Sequence, residues 1–192
     1  MFNILIFGPP GSGKGTQATK IAQKYNIKHI STGDILRNEV KQRTELGEKA
    51  RAIMERGELV PDELLIEILY SVIEKNTDVA GFIFDGFPRT LIQAQELDNL
   101  MKKIEDSIDL VISLDVHDNE IIGRLLKRAE IEGRKDDNRE TIQNRLNVYK
   151  NQTMPLLDYY DQQNKLEKID GIGSIDDIFQ SVCQQVDKYL TL

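Results

Sequence analysis

The run Gly8-Pro-Pro-Gly-Ser-Gly-Lys14-Gly-Thr16 separates a continuous apolar stretch, Asn3-Ile-Leu-Ile-Phe7, from a helical pattern that begins at Lys14 and ends near Tyr25. Gly8, Gly13 and Lys14 have the spacing G-x-x-x-x-G-K. Glycines allow a backbone to wrap an anion with its N–H groups turned inward. The helix that follows adds the positive end of its dipole, and Lys14 adds a point charge for terminal phosphates. A strand apolar on both faces, leading through such a loop into a helix, belongs to a parallel sheet covered by helices. Ser or Thr usually follows the lysine of such a loop; here Gly15 does, and the hydroxyl comes at Thr16. Asp85, at the end of a later apolar run, is the candidate acidic partner for a metal, Mg²⁺, held through its water shell.

The rest of the chain repeats the alternation. Lys28-His-Ile-Ser31, Phe82-Ile-Phe84 and Leu110–Val116 read as strands, with a weaker one over Leu166–Ile169. Between them Pro61–Lys75 carries Leu65, Ile68, Leu69, Val72 and Ile73, an apolar stripe of helical period. This predicts a doubly wound α/β fold. Two stretches depart from the rhythm. Residues 31–60 have helical pattern and charge but no strand, and residues 131–138 are polar without periodicity. Both read as excursions from the sheet, the usual place for lids and binding loops. Asp137 followed by Glu140 fits a capping box that starts a new helix.

Composition removes other classes. The chain has 192 residues, a net charge of −7 and one cysteine, Cys183. One cysteine forms neither an internal disulfide nor a cysteine-clustered zinc site. The acidic balance argues against a nucleic-acid coat or an anionic membrane surface. No apolar run is long enough to span a bilayer, and no signal peptide precedes the first strand. A reducing cytoplasm is the expected compartment. His29 and His117 stand alone, as surface or hydrogen-bonded residues. Cys183 and the Tyr159-Tyr160 pair read as packing.

Five blocks occur in order: Gly8–Thr16, Ser31-Thr-Gly-Asp-Ile-Leu-Arg37, Gly57-Glu-Leu-Val60, Asp85-Gly-Phe-Pro-Arg89 and Gly133-Arg-Lys-Asp-Asp-Asn138. Together they resemble the adenylate kinases, within the nucleoside monophosphate kinases, over essentially the whole chain. The resemblance implies a P-loop nucleotide kinase with a five-stranded parallel sheet flanked by helices. Its core would be 1–30, 61–129 and 139–192, with a monophosphate-binding insertion at 31–60 and a short lid at 130–138. It implies Mg-dependent transfer from ATP to AMP giving two ADP, with no zinc, by a monomer whose partners are small nucleotides.

The same resemblance allots roles. Gly11, Ser12, Gly13, Lys14, Gly15, Thr16, Arg124, Arg128 and Gly173 would bind ATP, the last through a turn with Ser174, which also fits a helix cap with Asp177. Thr32, Arg37, Glu58, Leu59, Val60, Gly86, Phe87, Pro88, Arg89 and Gln93 would bind AMP, Gln93 reading the adenine. Arg134 and Arg145 would reach the monophosphate and the transferring group, and Lys14, Arg89, Arg128, Arg134 and Arg145 would carry catalysis. Asp136 and Asp137 match paired acids that hold the closed lid. Arg139 matches no role, and Lys135 would alter the charge of the lid.

The arginines also carry an argument of their own. The chain has ten, and five lie between 124 and 145. Arg124 and Arg128 share one helix face, and a transferring phosphoryl group needs such cations around it. Left to themselves, the cations near the lid would repel each other and hold it open. A pyrimidine monophosphate kinase and a slow nucleotide-hydrolysing switch would use the same phosphate loop. Arg37, Arg89 and Gln93 argue for an acceptor pocket, which a switch would not need.

Overall fold

Every strand of the structure, a computed structural model describing residues 1–134 and 136–190, lies in one parallel sheet. The strands are β1 (Ile4–Phe7), β2 (Lys28–Ser31), β3 (Phe82–Asp85), β4 (Leu110–Asp115) and β5 (Leu166–Asp170). Their order across the sheet is β2-β3-β1-β4-β5. β1 and β3 are buried at every residue, as their apolar sequences require. In a parallel sheet the connections are helices, and these cover both faces. One face carries a core that includes Leu5, Phe82, Phe84, Leu97 and Tyr160; the other packs Ile4, Ile83 and Ile112 against Ile21 and Val182.

The helices relevant to the site are α1 (Lys14–Tyr25), α2 (Thr32–Gln42), α3 (Glu45–Glu55), α4 (Asp62–Glu74), α5 (Leu91–Lys103), α6 (Asp118–Glu132) and α7 (Arg139–Val148). Tyr149–Thr153 continues α7 as a wide π-helical stretch into α8 (Pro155–Asp161), and α9 (Ile175–Leu190) closes the chain. The excursion after β2 is the pair α2 and α3, packed on each other and brought close by Gly47, where a Cβ would lie 2.2 Å from the Glu39 carbonyl oxygen. The second excursion is shorter than expected. Residues 130–132 are still helix, and α6 ends only where Gly133 turns left-handed at φ 65°.

Asp137 does not cap α7. Asn138 does, its side chain accepting the Thr141 amide at 3.0 Å. Ser174 caps α9 as expected, accepting the Asp177 amide at 3.1 Å. Cys183 is buried, and Tyr160 packs edge-on to Tyr159 with ring centroids 5.0 Å apart. Lys135 lies outside the described residues. No helix among the described residues is long and apolar enough to cross a membrane.

Asn3, just before β1, is fully buried and ties three segments at the entry edge of the sheet. Its Nδ2 donates to the Ser107 carbonyl at 2.9 Å, and its Oδ1 accepts the Phe82 amide at 3.1 Å. Asn3→Ala strands the buried Phe82 amide and removes the tie to the Ser107 carbonyl. It should cost about 2 kcal/mol, or about 4–8 °C of melting temperature in a chain of this size. A thermal melt followed by circular dichroism checks it; an unshifted midpoint would show that other groups satisfy the freed atoms.

Candidate active site

At the carboxyl ends of β1 and β3 the chain leaves the sheet through the phosphate loop and through Gly86–Arg89. Gly8 is glycine because a Cβ there would sit 2.5 Å from the Ser12 hydroxyl. Gly13 precedes α1 at φ 91°, where a side chain would be strained. The amino end of α1 therefore opens into a cleft of about 660 Å³. All nine residues expected on the ATP side line it: Gly11 through Thr16, Arg124, Arg128 and Gly173. Arg124 holds the rim together, donating to the carbonyls of Ser12 at 3.4 Å and Gly171 at 3.1 Å. Arg134 also lines this cleft, paired to Glu132 at 2.6 Å.

A smaller pocket opens between α2 and the segment 57–60. Thr32, Arg37, Glu58, Leu59 and Val60 line it. Gly86, Phe87 and Pro88 line a third recess beneath Lys14, with the Phe87–Pro88 bond cis. Arg89 and Arg145 border all three spaces, so they stand where the two larger ones meet. Arg89 is held in place there from two sides: its Nε donates to the Gly86 carbonyl at 2.7 Å, and the Thr153 hydroxyl donates to its main-chain carbonyl at 3.0 Å.

The charges are crowded. Burial lowers the Lys14 pKa to about 8, assisted by Arg89, Arg145 and Arg128 and opposed by Asp85. Burial, and next Arg145, lower Arg89 to about 10. Asp85 is 8 % exposed, and burial alone would raise its pKa; His29, Lys14 and Arg89 outweigh that and hold it below the ordinary carboxylate range. His29 is thus a wall residue of the cleft rather than a surface one, its Nε2 lying 3.8 Å from the Asp85 carboxylate. Nothing in the local sequence marks it; only β2 pairing with β3 brings it there, Ser31 beside Asp85.

Two expectations change. The arginines near the lid do not simply repel one another. Asp137, with a fully covered side chain, takes Arg128 at 2.6 and 2.8 Å and Arg145 at 2.8 Å, while Asp136 takes Arg145 at 3.2 Å. A carboxylate between two guanidiniums is the arrangement that makes cations tolerable in a half-buried space. Gln93, expected against a base, is fully buried and borders none of these spaces. Its amide is used within the protein, donating to Asp62 at 2.6 Å and accepting the Arg89 amide at 2.7 Å.

Cations drawn from separate segments around a single cleft suit a strongly anionic ligand, and a glycine loop at a helix amino end suits phosphate in particular. Fold and cleft together define a P-loop phosphate-binding α/β protein with a second anion pocket beside the first. A family model for adenylate kinase matches residues 6–165. The chain is 50 % identical over 188 residues to an adenylate kinase of Bacteroides thetaiotaomicron, covering 98 % of this chain and 100 % of that one. It is 50 % identical to one from Bacteroides fragilis, over 97 % and 99 % of the two chains. One from Porphyromonas gingivalis is 44 % identical over 98 % and 97 %. The chain belongs to the adenylate kinase family and is a phosphotransferase.

The lowered pKa of Lys14 makes anion binding a proton-linked event. An anion against the ammonium favours its charged form, so at pH 8 a bound polyphosphate should draw a proton onto the protein. Titration calorimetry of ATP in buffers of different ionisation enthalpy should show this uptake at pH 8, little of it at pH 6, and none in Lys14→Met. Equal uptake in the variant would assign the proton to another group. The sign for folding is the opposite: the unfolded chain keeps this proton up to 10.5 and the folded one releases it near 8, so the stability of the fold rises with pH through that window while anion binding weakens.

Proposed function

We propose that the chain carries out the reaction of its family, reversible transfer of the terminal phosphoryl group of ATP to AMP giving two ADP. The donor would lie in the cleft floored by Gly11–Thr16, and the acceptor in the pocket between Thr32 and Val60. The observation that carries this reading is the position of Arg89 and Arg145 on all three spaces, where a group passing from one ligand to the other must sit.

An oxygen of the AMP phosphate attacks the γ-phosphorus, and the bond from that phosphorus to the β–γ bridging oxygen breaks, releasing ADP. The attacking oxygen is already ionised at neutral pH, so no general base is required, and positioning with charge stabilisation does most of the work. The loop amides and Lys14 would hold the donor's terminal phosphates. Arg37 and Arg89 would clamp the acceptor phosphate, and Arg128, Arg134 and Arg145 would take charge on the transferring oxygens. Arg128 and Arg145 must then share or exchange Asp137 for phosphate oxygens. The oxygen donors of Asp85 and Thr16 fit Mg²⁺, which binds through few carboxylates and keeps waters and phosphate oxygens. When bound, that ion would neutralise phosphate charge. We read the protein as a cytoplasmic monomer acting on free nucleotides; its net charge of −7 supports no polyanionic partner.

In the same reading, 31–60 and the loop at 133–138 close over the nucleotides, excluding the water that would otherwise accept the phosphoryl group. Hydrogen exchange should slow in both segments when a linked ATP–AMP mimic binds, and not in the central strands. Equal rates with and without the mimic would overturn closure.

A coupled assay across AMP, CMP, UMP and GMP should rank AMP first. Arg89→Ala should raise KM for AMP and lower kcat, for a loss of about 10²–10³ in kcat/KM. An effect confined to the KM of ATP would remove Arg89 from the acceptor site.

A further inference from the structure

The last turn of α3 leads directly into one wall of the smaller pocket, the segment Gly57, Glu58, Leu59 and Val60, and Arg145 borders the same pocket. A helix leaves its final carbonyls without partners of its own. Here the Ile53 carbonyl accepts the Glu58 amide N–H at 3.2 Å, and the Met54 carbonyl accepts that of Gly57 at 3.0 Å. The next two carbonyls are held from another helix. The Thr141 hydroxyl donates to the Glu55 carbonyl at 3.0 Å, and Nδ2 of Asn144 donates to the Arg56 carbonyl at 2.6 Å. Both donors belong to α7, 86 and 88 residues further along the chain.

Thr141, Asn144 and Arg145 are spaced i, i+3, i+4 and so share one face of α7. The end of α3 packs tightly on that face: a Cβ on Gly57 would lie 2.8 Å from Cγ of Arg145 and 3.0 Å from the Thr141 carbonyl oxygen. Arg56 extends the anchorage, since its guanidinium pairs with Glu58 on the pocket wall at 2.8 and 2.9 Å. The direction of the Thr141 hydroxyl is fixed as well. Asn138 accepts the Thr141 main-chain N–H through Oδ1 at 3.0 Å, which leaves its Nδ2 to donate to the Thr141 oxygen at 2.9 Å. With a donor already facing that oxygen, its one proton is left for the Glu55 carbonyl. Thr141 is buried, so a bond lost there is not replaced by water.

We propose that Thr141 and Asn144 are positioning residues for phosphoryl transfer: they hold the end of α3 on the face of α7 that carries Arg145, and so set the spacing between the acceptor wall and that arginine. The inference rests on the reading of this pocket as the acceptor site. Neither residue touches a ligand. They act through two groups that do so in that reading, the segment 58–60 against the acceptor's base and Arg145 on its phosphate. Transfer requires both ends of the acceptor to be held at one separation, and a misplacement of about 1 Å costs on the order of 10²-fold in rate.

Thr141→Val keeps the shape of the side chain and removes its donor, Thr141→Ser keeps the donor, and Asn144→Ala removes the second bond. Gln143→Ala is the control, an exposed residue of α7 whose side chain bonds Asn147 rather than α3. For each, kcat and the KM of AMP and of ATP are measured, with the melting temperature. We expect kcat/KM for AMP to fall at least about tenfold in Thr141→Val and about threefold in Asn144→Ala, through a higher KM of AMP and a lower kcat. The KM of ATP should stay within about twofold of wild type, and Thr141→Ser and Gln143→Ala should match wild type within the same margin. If Thr141→Val lowers the melting temperature and leaves the KM of AMP unchanged, the bonds only stabilise the fold and the proposal fails. It fails equally if Thr141→Ser is as impaired as Thr141→Val, or if Gln143→Ala raises the KM of AMP as much. Should Thr141→Val not accumulate folded, Asn144→Ala, whose bond lies at the surface, decides by the same criterion. Arg89→Ala, assayed alongside, keeps the two readings apart. A loss toward AMP in Arg89→Ala with none in Thr141→Val or Asn144→Ala removes this inference alone; no loss in Arg89→Ala removes the acceptor reading and this inference with it.

Discussion

Cations held close together out of water are costly, and the arrangement of this molecule around its cleft follows from that cost. Lys14, Arg37, Arg89, Arg128 and Arg145 face one space, and burial, with their mutual repulsion added to it, drives Lys14 and Arg89 toward their neutral forms. Four carboxylates offset them: Asp34 on Arg37, Asp85 near Lys14, Asp137 between Arg128 and Arg145, and Asp136 on Arg145. The balance is incomplete by design of the chemistry. A cleft neutralised entirely by its own acids would have no affinity for phosphate, and one with no acids would resist folding.

The scaffold makes that balance possible because each charge comes from a separate rigid element. β1 sits centrally with β3 on one side and β4 on the other, so the chain leaves adjacent strands in opposite directions and a crevice opens at their carboxyl ends. Lys14 begins the helix after β1, Asp85 ends β3, Arg128 comes from α6 and Arg145 from α7. A bond from its guanidinium to the Gly86 carbonyl, with main-chain bonds to Thr153 and Gln93, leaves Arg89 little freedom, so its guanidinium needs little ordering when a phosphate arrives.

Strong local rules were readable without coordinates. The loop at Gly8–Thr16 has its conformation written into its glycines, and the strands β1, β3 and β4 into their apolar runs. The helix after Pro61 is visible from Leu65, Leu69 and Ile73, which the structure buries. Contact between distant segments was not readable. Asp137 has a sequence position that suits a helix cap, but a buried place between two guanidiniums outweighs a cap worth about 1 kcal/mol, and Asn138 takes that work. His29 resembled an isolated surface residue until β2 paired with β3 beside Asp85. Gln93 offered the right chemistry for a base, but its amide's present partners, Asp62 and the Arg89 amide, are chosen by the packing of α4 against α5.

The sequence by itself therefore determined the class of fold, the phosphate loop and the family, because each rests on residues adjacent in the chain or repeated at the period of one helix or strand. Tertiary structure decided which charges neutralise which, which polar side chains face a ligand and which face the protein, and where the two pockets meet. Those outcomes depend on burial and on distances between elements far apart in sequence. A carboxylate or an amide has the same local signature in each role, and only its surroundings assign the role.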